Sequence, residues 1–453
     1  NIKQMSAAIP QQLVPAGTQL GVDSFSQIKP QRIILKPQVQ TTFRPNGVNK
    51  VSFKIPAFAN GFLDTSKSFL SFVVGYDTVT DVTAVTTTCR LNNAAPVFQR
   101  LTLKSNTGLI IDQIDNYHVL SQIISATMPV SRAVSVLEGR DQESVFVDGS
   151  MKAEACVAQK LTTQGVPIRH YINAGLLSKH TTKWLPLGAM DAGGHAFELE
   201  LQLSDNASVL RQTGAVADPV YRLEDVVYNM EIRTLDESLC RRFNQIACAP
   251  GAEMRIGFKT MHAHTAVLNS NKNVIKIHES ATSLDRVWNA FLVSGDLTKL
   301  VDTSAYKLVG GTESASNRVI SRYNARIGSN WLYNQFVEED KKAIGNMQTC
   351  SHVKNALGYQ DHPLVMEYRD AATHLPTDRH YVNVFDFQYS GSEGFANGIS
   401  SSTPLEIYID LPTAYTANDI MMYSFAEISY DLVVKNGMVH YEEVKPGSNA
   451  VYS

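Results

Sequence analysis

The run His195–Asp205, HAFELELQLSD, alternates without a fault. Phe197, Leu199, Leu201 and Leu203 fall on one side, Glu198, Glu200 and Gln202 on the other. A period of two places every apolar side chain on one face of an extended strand, so this segment reads as a strand with one buried and one wet face. The same texture recurs later. Pro404–Leu411 (PLEIYIDL) parallels it, and Met421–Tyr441 (MMYSFAEISYDLVVKNGMVHY) parallels Tyr221–Asp236 (YRLEDVVYNMEIRTLD). The offsets agree, 208 positions from Leu199 to Ile407 and 201 from Val227 to Ile428. A repeat of this length, closing each time on the same strand pair, predicts a duplicated β-sandwich.

The rest of the chain fits that frame. Asn49–Pro56 alternates Val51, Phe53 and Ile55 with polar residues, and Ser66–Asp77 is rich in aromatic and β-branched residues. Phe98–Lys104 and Leu109–Asp112 flank Ser105-Asn106-Thr107-Gly108 and read as a hairpin. One helix follows, capped by Asp115 or Asn116, with Tyr117, Leu120, Ile123 and Ile124 at helical spacing until Met128-Pro129. In the second half, Ala252–Leu268, Asn273–His278 and Asp285–Val293 read as strands, 335–357 as a helical stretch, and Asn436-Gly437 as a hairpin turn. Strands outnumber helices and no β-α-β rhythm occurs, which excludes a parallel α/β fold. Eight-stranded jelly-roll sandwiches suit the count per half.

A chain of 453 residues has room for two or three folding units. Five prolines (Pro10, Pro15, Pro30, Pro37 and Pro45) make residues 1–48 read as extended. The division expected is an arm over 1–28, a first sandwich over 29–240 and a second over 241–453, jointed near Arg241-Arg242 and Ala249-Pro250-Gly251. Residues 1–60 carry seven cations against Asp23 alone, or +6, which leaves −9 on the rest of a chain whose total is −3. That predicts a mildly basic N-terminal segment on an acidic body, either a solvated linker or an arm lying along a neighbour or an anionic surface. Charged residues are only 18% of the chain, below the ~25% usual for globular domains, so much of the surface is expected to be covered.

The five cysteines (Cys89, Cys156, Cys240, Cys248 and Cys350) are widely spaced and odd in number, which argues against a disulfide framework or a zinc ribbon. No run approaches the ~20 apolar residues of a membrane span. The opening NIKQMSAAIP lacks a secretory signature and an initiator Met, so a soluble product whose N-terminus lies upstream is expected. His262 and His264 share one face of a strand, as metal-binding imidazoles do, but no acid follows at the cupin spacing. A structural pair is the reading set against a metal site there. Gly391-Ser392-Glu393-Gly394 has the wrong spacing for a nucleophile elbow, and Gly193-Gly194 and Gly310-Gly311-Thr312 belong to no phosphate loop. Asp378-Arg379-His380 and the 338–342 charge run read as solvated faces or inter-subunit salt bridges, and Trp184, Trp288 and Trp331 as core. No catalytic constellation emerges, and neither a catalytic residue nor a cofactor is expected.

The run Phe98-Gln99-Arg100-Leu101 through Asp112-Gln113-Ile114-Asp115-Asn116-Tyr117-His118-Val119-Leu120 resembles the hairpin and helix of double jelly-roll major capsid proteins. Leu185-Pro186-Leu187 with the FELELQL strand resembles the closing part of their first jelly roll, and Asp225-Val226-Val227-Tyr228 its last strand. Arg326-Ile327-Gly328-Ser329 and the following helix resemble the second. By texture the nearest members are capsid proteins of polinton-like viruses, virophages and adintoviruses, with the adenovirus hexon further off. The resemblance implies two tandem eight-stranded jelly rolls with short helices in the connecting loops, assembled as homotrimers that tile an icosahedral shell around double-stranded DNA. It implies a place in the virion, with neighbouring capsomers and penton and minor capsid proteins as partners. Through the basic arm it adds an internal membrane or the genome. Residues 130–180 and 294–320 would then be insertions. The competing reading is a minor capsid, spike or lectin-like binding protein.

Overall fold

The computed structural model describes residues 29–39, 42–58, 60–77, 90–91, 97–129, 146–147, 150–151, 165–181, 183–190, 195–205, 209–211, 220–235, 253–279, 281, 283–293, 320–338, 344–358, 364, 382–387, 404–411, 420–435 and 438–443. The proposed joint, the arm 1–28 and most of 130–164 and 294–319 lie outside them. So do the glycine pairs, the 378–380 triplet and every cysteine except Cys350, which is buried.

Four antiparallel sheets form two sandwiches. In the first, β1 (Lys29–Leu35), β13 (Val220–Thr234), β3 (Gly61–Asp77) and β10 (Leu185–Pro186) lie in that order, with β9 (Val166–His170) also on β3. Facing it are β2 (Lys50–Pro56), β11 (His195–Leu203), β5 (Phe98–Ser105) and β6 (Ile110–Ile114). The second sandwich repeats the scheme. One sheet runs β14 (Met254–Leu268), β22 (Ile420–Lys435), β16 (Leu284–Val293), β20 (Val382–Asp386), with β23 (Met438–Glu443) added to β22. The other runs β15 (Lys272–Ile277), β21 (Leu405–Asp410), β17 (Arg322–Ile327), β18 (Asn330–Trp331), with β19 (Val337–Glu338) added to β17. Two-residue ladders join β4 (Arg90–Leu91) to β12 (Leu210–Arg211), and β7 (Phe146–Val147) to β8 (Ser150–Met151). Each closing strand of the repeat, β13 or β22, lies second in its sheet, and each alternating strand, β11 or β21, lies second in the facing sheet.

The alternation of β11 does what its period requires. Phe197, Leu199 and Leu201 are fully buried between β2 and β5. On the wet face, Glu200 accepts Lys50 Nζ at 2.7 Å and Lys104 Nζ at 2.8 Å, each from a diagonal position on a neighbouring strand. Burial pushes its carboxyl up, but the two lysines outweigh that and hold it below the usual range.

Helix α1 (Tyr117–Ala126) buries Tyr117, Val119, Leu120 and Ile123. The expected side-chain cap is not used. Asp115 is taken by Arg100 and Gln113, while the Asn116 carbonyl, at φ 53°, accepts the amides of Val119 and Leu120. The second helix is shorter than 335–357. Helix α2 spans Ile344–Leu357, because Val337 pairs with Tyr323 and is drawn into the sheet edge as β19. Ladder bonds and burial of Val337 override local helix preference there. Of the segment read as extended, Lys29–Leu35 pairs residue by residue with β13, and buried Phe43 bridges Leu223. Asn436-Gly437 lies outside the described residues, but the strands it joins pair from Lys435–Met438 outward.

Candidate functional site at the junction of the two sandwiches

The two sandwiches meet where an edge of the first docks on an edge of the second. β14 is the edge strand of its sheet, and its Lys259 carbonyl accepts the Gly175 amide at 3.1 Å. Beside it, Asp112 of β6 is buried across the seam. Thr260 Oγ1 of β14 donates to its Oδ1, and the Leu176 amide donates to its Oδ2 at 3.2 Å. Burial pushes the Asp112 carboxyl up, against the pull of these bonds. Position 175 has to be glycine: its φ is +80°, and an added Cβ would lie 1.9 Å from Asp112 Oδ2. Residues 166–181, expected as part of an insertion, thus supply β9 and the loop that holds the halves together.

The outer face of the second sandwich's β14–β22 sheet carries a buried charge network. Glu427, only 5% exposed, accepts Lys259 Nζ at 3.0 Å, Arg286 Nη1 at 3.2 Å and the Trp288 indole at 3.1 Å. Lys259 also reaches Asp285 at 2.7 Å, and Ser429 donates to the same carboxylate at 2.7 Å. Burial pushes the Glu427 carboxyl up, but Lys259 and Arg286 outweigh it and hold it down to about 2. Sequence reasoning passed over this cluster. Its trace was Glu427 and Asp431 standing in an otherwise apolar run, where an unpaired charge would be prohibitive.

His262 and His264, expected as a metal pair or a structural pair, both face Glu279, which sits just beyond β15. His262 Nδ1 lies 3.2 Å from Oε2 and His264 Nε2 2.7 Å from Oε1. The Glu279 bond raises the His262 imidazole above its ordinary value against the effect of burial. Burial pushes Glu279 up, but the two histidines outweigh it and take it to about 2. Among the described residues no three His, Cys, Asp or Glu side chains are arranged to hold a metal ion. The acid partner was invisible at cupin spacing because the sheet brings it from 15 residues further on.

The duplicated sheets are unequally covered. Along β22, alternate residues that point away from the core (Phe425, Glu427, Ser429, Asp431 and Val433) are all buried. On β13 the outward residues are mixed, Asn229 and Glu231 being buried and Glu224 and Val227 partly exposed, while beside them edge strand β1 is exposed over Lys29–Arg32 and at Ile34, which is 62% exposed. The facing sheet of the second sandwich has an uncovered patch of its own. Trp331 is 42% exposed, its ring 4.9 Å from Tyr408, and Arg326 lies 5.4 Å from both ring centroids. Arg322 covers Phe336 at 4.8 Å. Of the three tryptophans expected in the core, Trp288 is buried, Trp184 is half-buried under Arg233, and Trp331 is on the surface. Its own strand, β18, is a two-residue ladder at the end of the sheet.

No protein-family model and no curated protein matches the sequence. Solved structures do match the fold. PBCV-1 VP54 fitted into a cryo-EM reconstruction of the virophage Sputnik aligns with TM-score 0.60 at 11% identity, over 94% of this chain and 99% of that one. The Faustovirus major capsid protein aligns with TM-score 0.52 at 8% identity over 92% and 93% of the two chains. The mavirus major capsid protein aligns with TM-score 0.50 at 10% identity over 98% and 97%. The fold is a double jelly roll. Eight strands lie on the main pairing paths of each jelly roll, as the hairpin and closing-strand residues led one to expect, with short helices between them. At 8–11% identity the likeness is one of fold.

Proposed function

We propose that the chain is the major capsid protein of a double-stranded DNA virus and builds an icosahedral shell as a homotrimer of pseudo-hexagonal outline. The observation that carries this is the unequal covering of the duplicated sheets. Within one chain the first jelly roll covers the outer face of the second. The equivalent face of the first, around β1 and Ile34, and the Trp331–Tyr408–Arg326 patch of the second stay open. A head-to-tail contact that repeats the internal one would close both, and three chains would complete a ring of six jelly rolls. Exposed Trp, Tyr and Arg are the side chains that dominate such interfaces. The near end-to-end match to major capsid proteins supports the same reading.

Neighbouring capsomers, penton and minor capsid proteins would then be the outer partners in the virion. The inner contact is modest. Residues 1–28 hold only Lys3 against Asp23, so the +6 of the N-terminal segment lies around β1 and β2. There Arg32, Arg44 and Lys50 pair with Glu231, Asp77 and Glu200. Lys29, Lys36 and Lys54 make no ion pair among the described residues and are the cations left for an internal membrane or genome.

Light scattering on purified protein tests the reading. Trimers of ~150 kDa, three times the 49.9 kDa chain, are expected, and Trp331→Ala should weaken the trimer at least tenfold without lowering monomer stability. A stable monomer at high concentration would sink it. The exposed aromatic patch also suits a glycan-binding module, and saturable glycan binding by such a monomer would favour that second reading.

A further inference from the structure

Between α1, the 173–183 segment and the β14–β22 sheet lies a cavity of about 630 Å³, within the ~300–1,000 Å³ of small-molecule sites. One wall is hydrocarbon: Leu120, Ile123 and Ile124 of α1 face Phe258, Met261 and Leu357. The polar part holds four cations, of which Lys259 and Arg286 are already paired with Asp285, Asp386 and Glu427. Lys179, Lys183, Lys259 and Arg286 line it against the single carboxylate of Glu427, which is already engaged by Lys259 and Arg286. Lys183 is half-buried and makes no hydrogen bond or ion pair among the described residues; Asp431 acts on it only as a neighbouring charge. Burial lowers its ammonium pKa, outweighing the opposing pull of Asp431. Nearby, Asn173 Oδ1 is buried without a donor.

We propose that this cavity binds an amphipathic anion, a long-chain carboxylate, with its hydrocarbon on the α1 wall and its headgroup at Lys183. The two needs of the site, an apolar filling for the α1 wall and a negative charge for Lys183, are met together by that class of molecule. A short anion leaves the wall unfilled, and a neutral alkyl chain leaves the lysine unpaired. The site lies within one chain and does not depend on assembly.

The test is a titration of the full-length protein with cis-parinaric acid, a fluorescent eighteen-carbon carboxylate. Competing saturated fatty acids of increasing length and an eighteen-carbon alcohol are then added. Saturable binding is expected, tightening up to fourfold per methylene until the cavity is full. Lys183→Gln should weaken carboxylate binding about tenfold while leaving the alcohol unaffected. Ile124→Trp, which narrows the cavity at its α1 wall, should weaken both. Absence of saturable binding, equal affinity for the alcohol, or binding unchanged in Lys183→Gln would overturn the proposal. Because Lys183 is half-exposed, its substitution keeps the test decisive should Ile124→Trp fail to fold. Competition by a lysophospholipid but not by fatty acids would also overturn the carboxylate assignment.

Discussion

At the scale of single residues, Glu279 shows how a carboxylate between two imidazoles couples folding to pH. His262 is raised from 6.5, so its contribution is complete below that value and is lost as pH climbs through the raised one. Glu279 is lowered from 4.5 to about 2, so its contribution is complete above 4.5 and is lost as pH falls toward 2. The cluster therefore stabilises fully only between 4.5 and 6.5 and fades on either side. The difference in melting temperature between wild type and Glu279→Gln should peak near about pH 5.5 and shrink by pH 8. A pH-independent difference would show that the histidines are not titrating against this acid. Legibility at this scale was poor. Two histidines with period two were visible, but an acid 15 residues away was not. The same limit hid Gly175 and Asp112, whose roles exist only because β14 packs on them from far along the chain, 148 positions for Asp112.

Elements were far more legible, because each reports its own burial through its period. β11, β21 and the β5–β6 hairpin lie where alternation and the Asn/Gly-bearing turn place them. The failures share a cause. Val337 and Glu338 looked helical but were captured by a sheet edge, and Asp115 looked like a cap but was claimed by Arg100. In both, a partner distant in sequence outbid a local preference worth under ~1 kcal/mol. β11 gives the sharpest test of the two-faced strand. Leu201→Ala, on its core face, should cost ~2–5 kcal/mol in urea denaturation, and Gln202→Ala, on the wet face one residue along, within ~0.5 kcal/mol. Equal costs would mean the strand is covered on both faces.

For the whole molecule, the question is how two similar sandwiches become one body. The Asp112–Thr260 and Gly175–Lys259 contacts are buried and cross the seam, so the halves should unfold together as one calorimetric transition. Asp112→Ala removes the acceptor and leaves Thr260 and the Leu176 amide unsatisfied at ~1–3 kcal/mol each. It should split the transition in two. A wild-type protein that already melts in two steps would refute the coupling.

The low charge content now has a location. On β22 the covered face is satisfied inside the chain, and beside β13 the exposed edge strand β1 is left for a second copy under the proposed assembly. By itself the sequence determined the class of fold, its duplication and most strands, because alternation, turn residues and repeat offset are local quantities that the chain carries along its length. Tertiary structure alone decided which faces of those strands are shared and which stay open. It also placed Glu427 among cations, Lys183 without an anion, and Trp331 at the surface. Those outcomes depend on packing between segments far apart along the chain, where an identical local pattern can meet protein, water or a cavity.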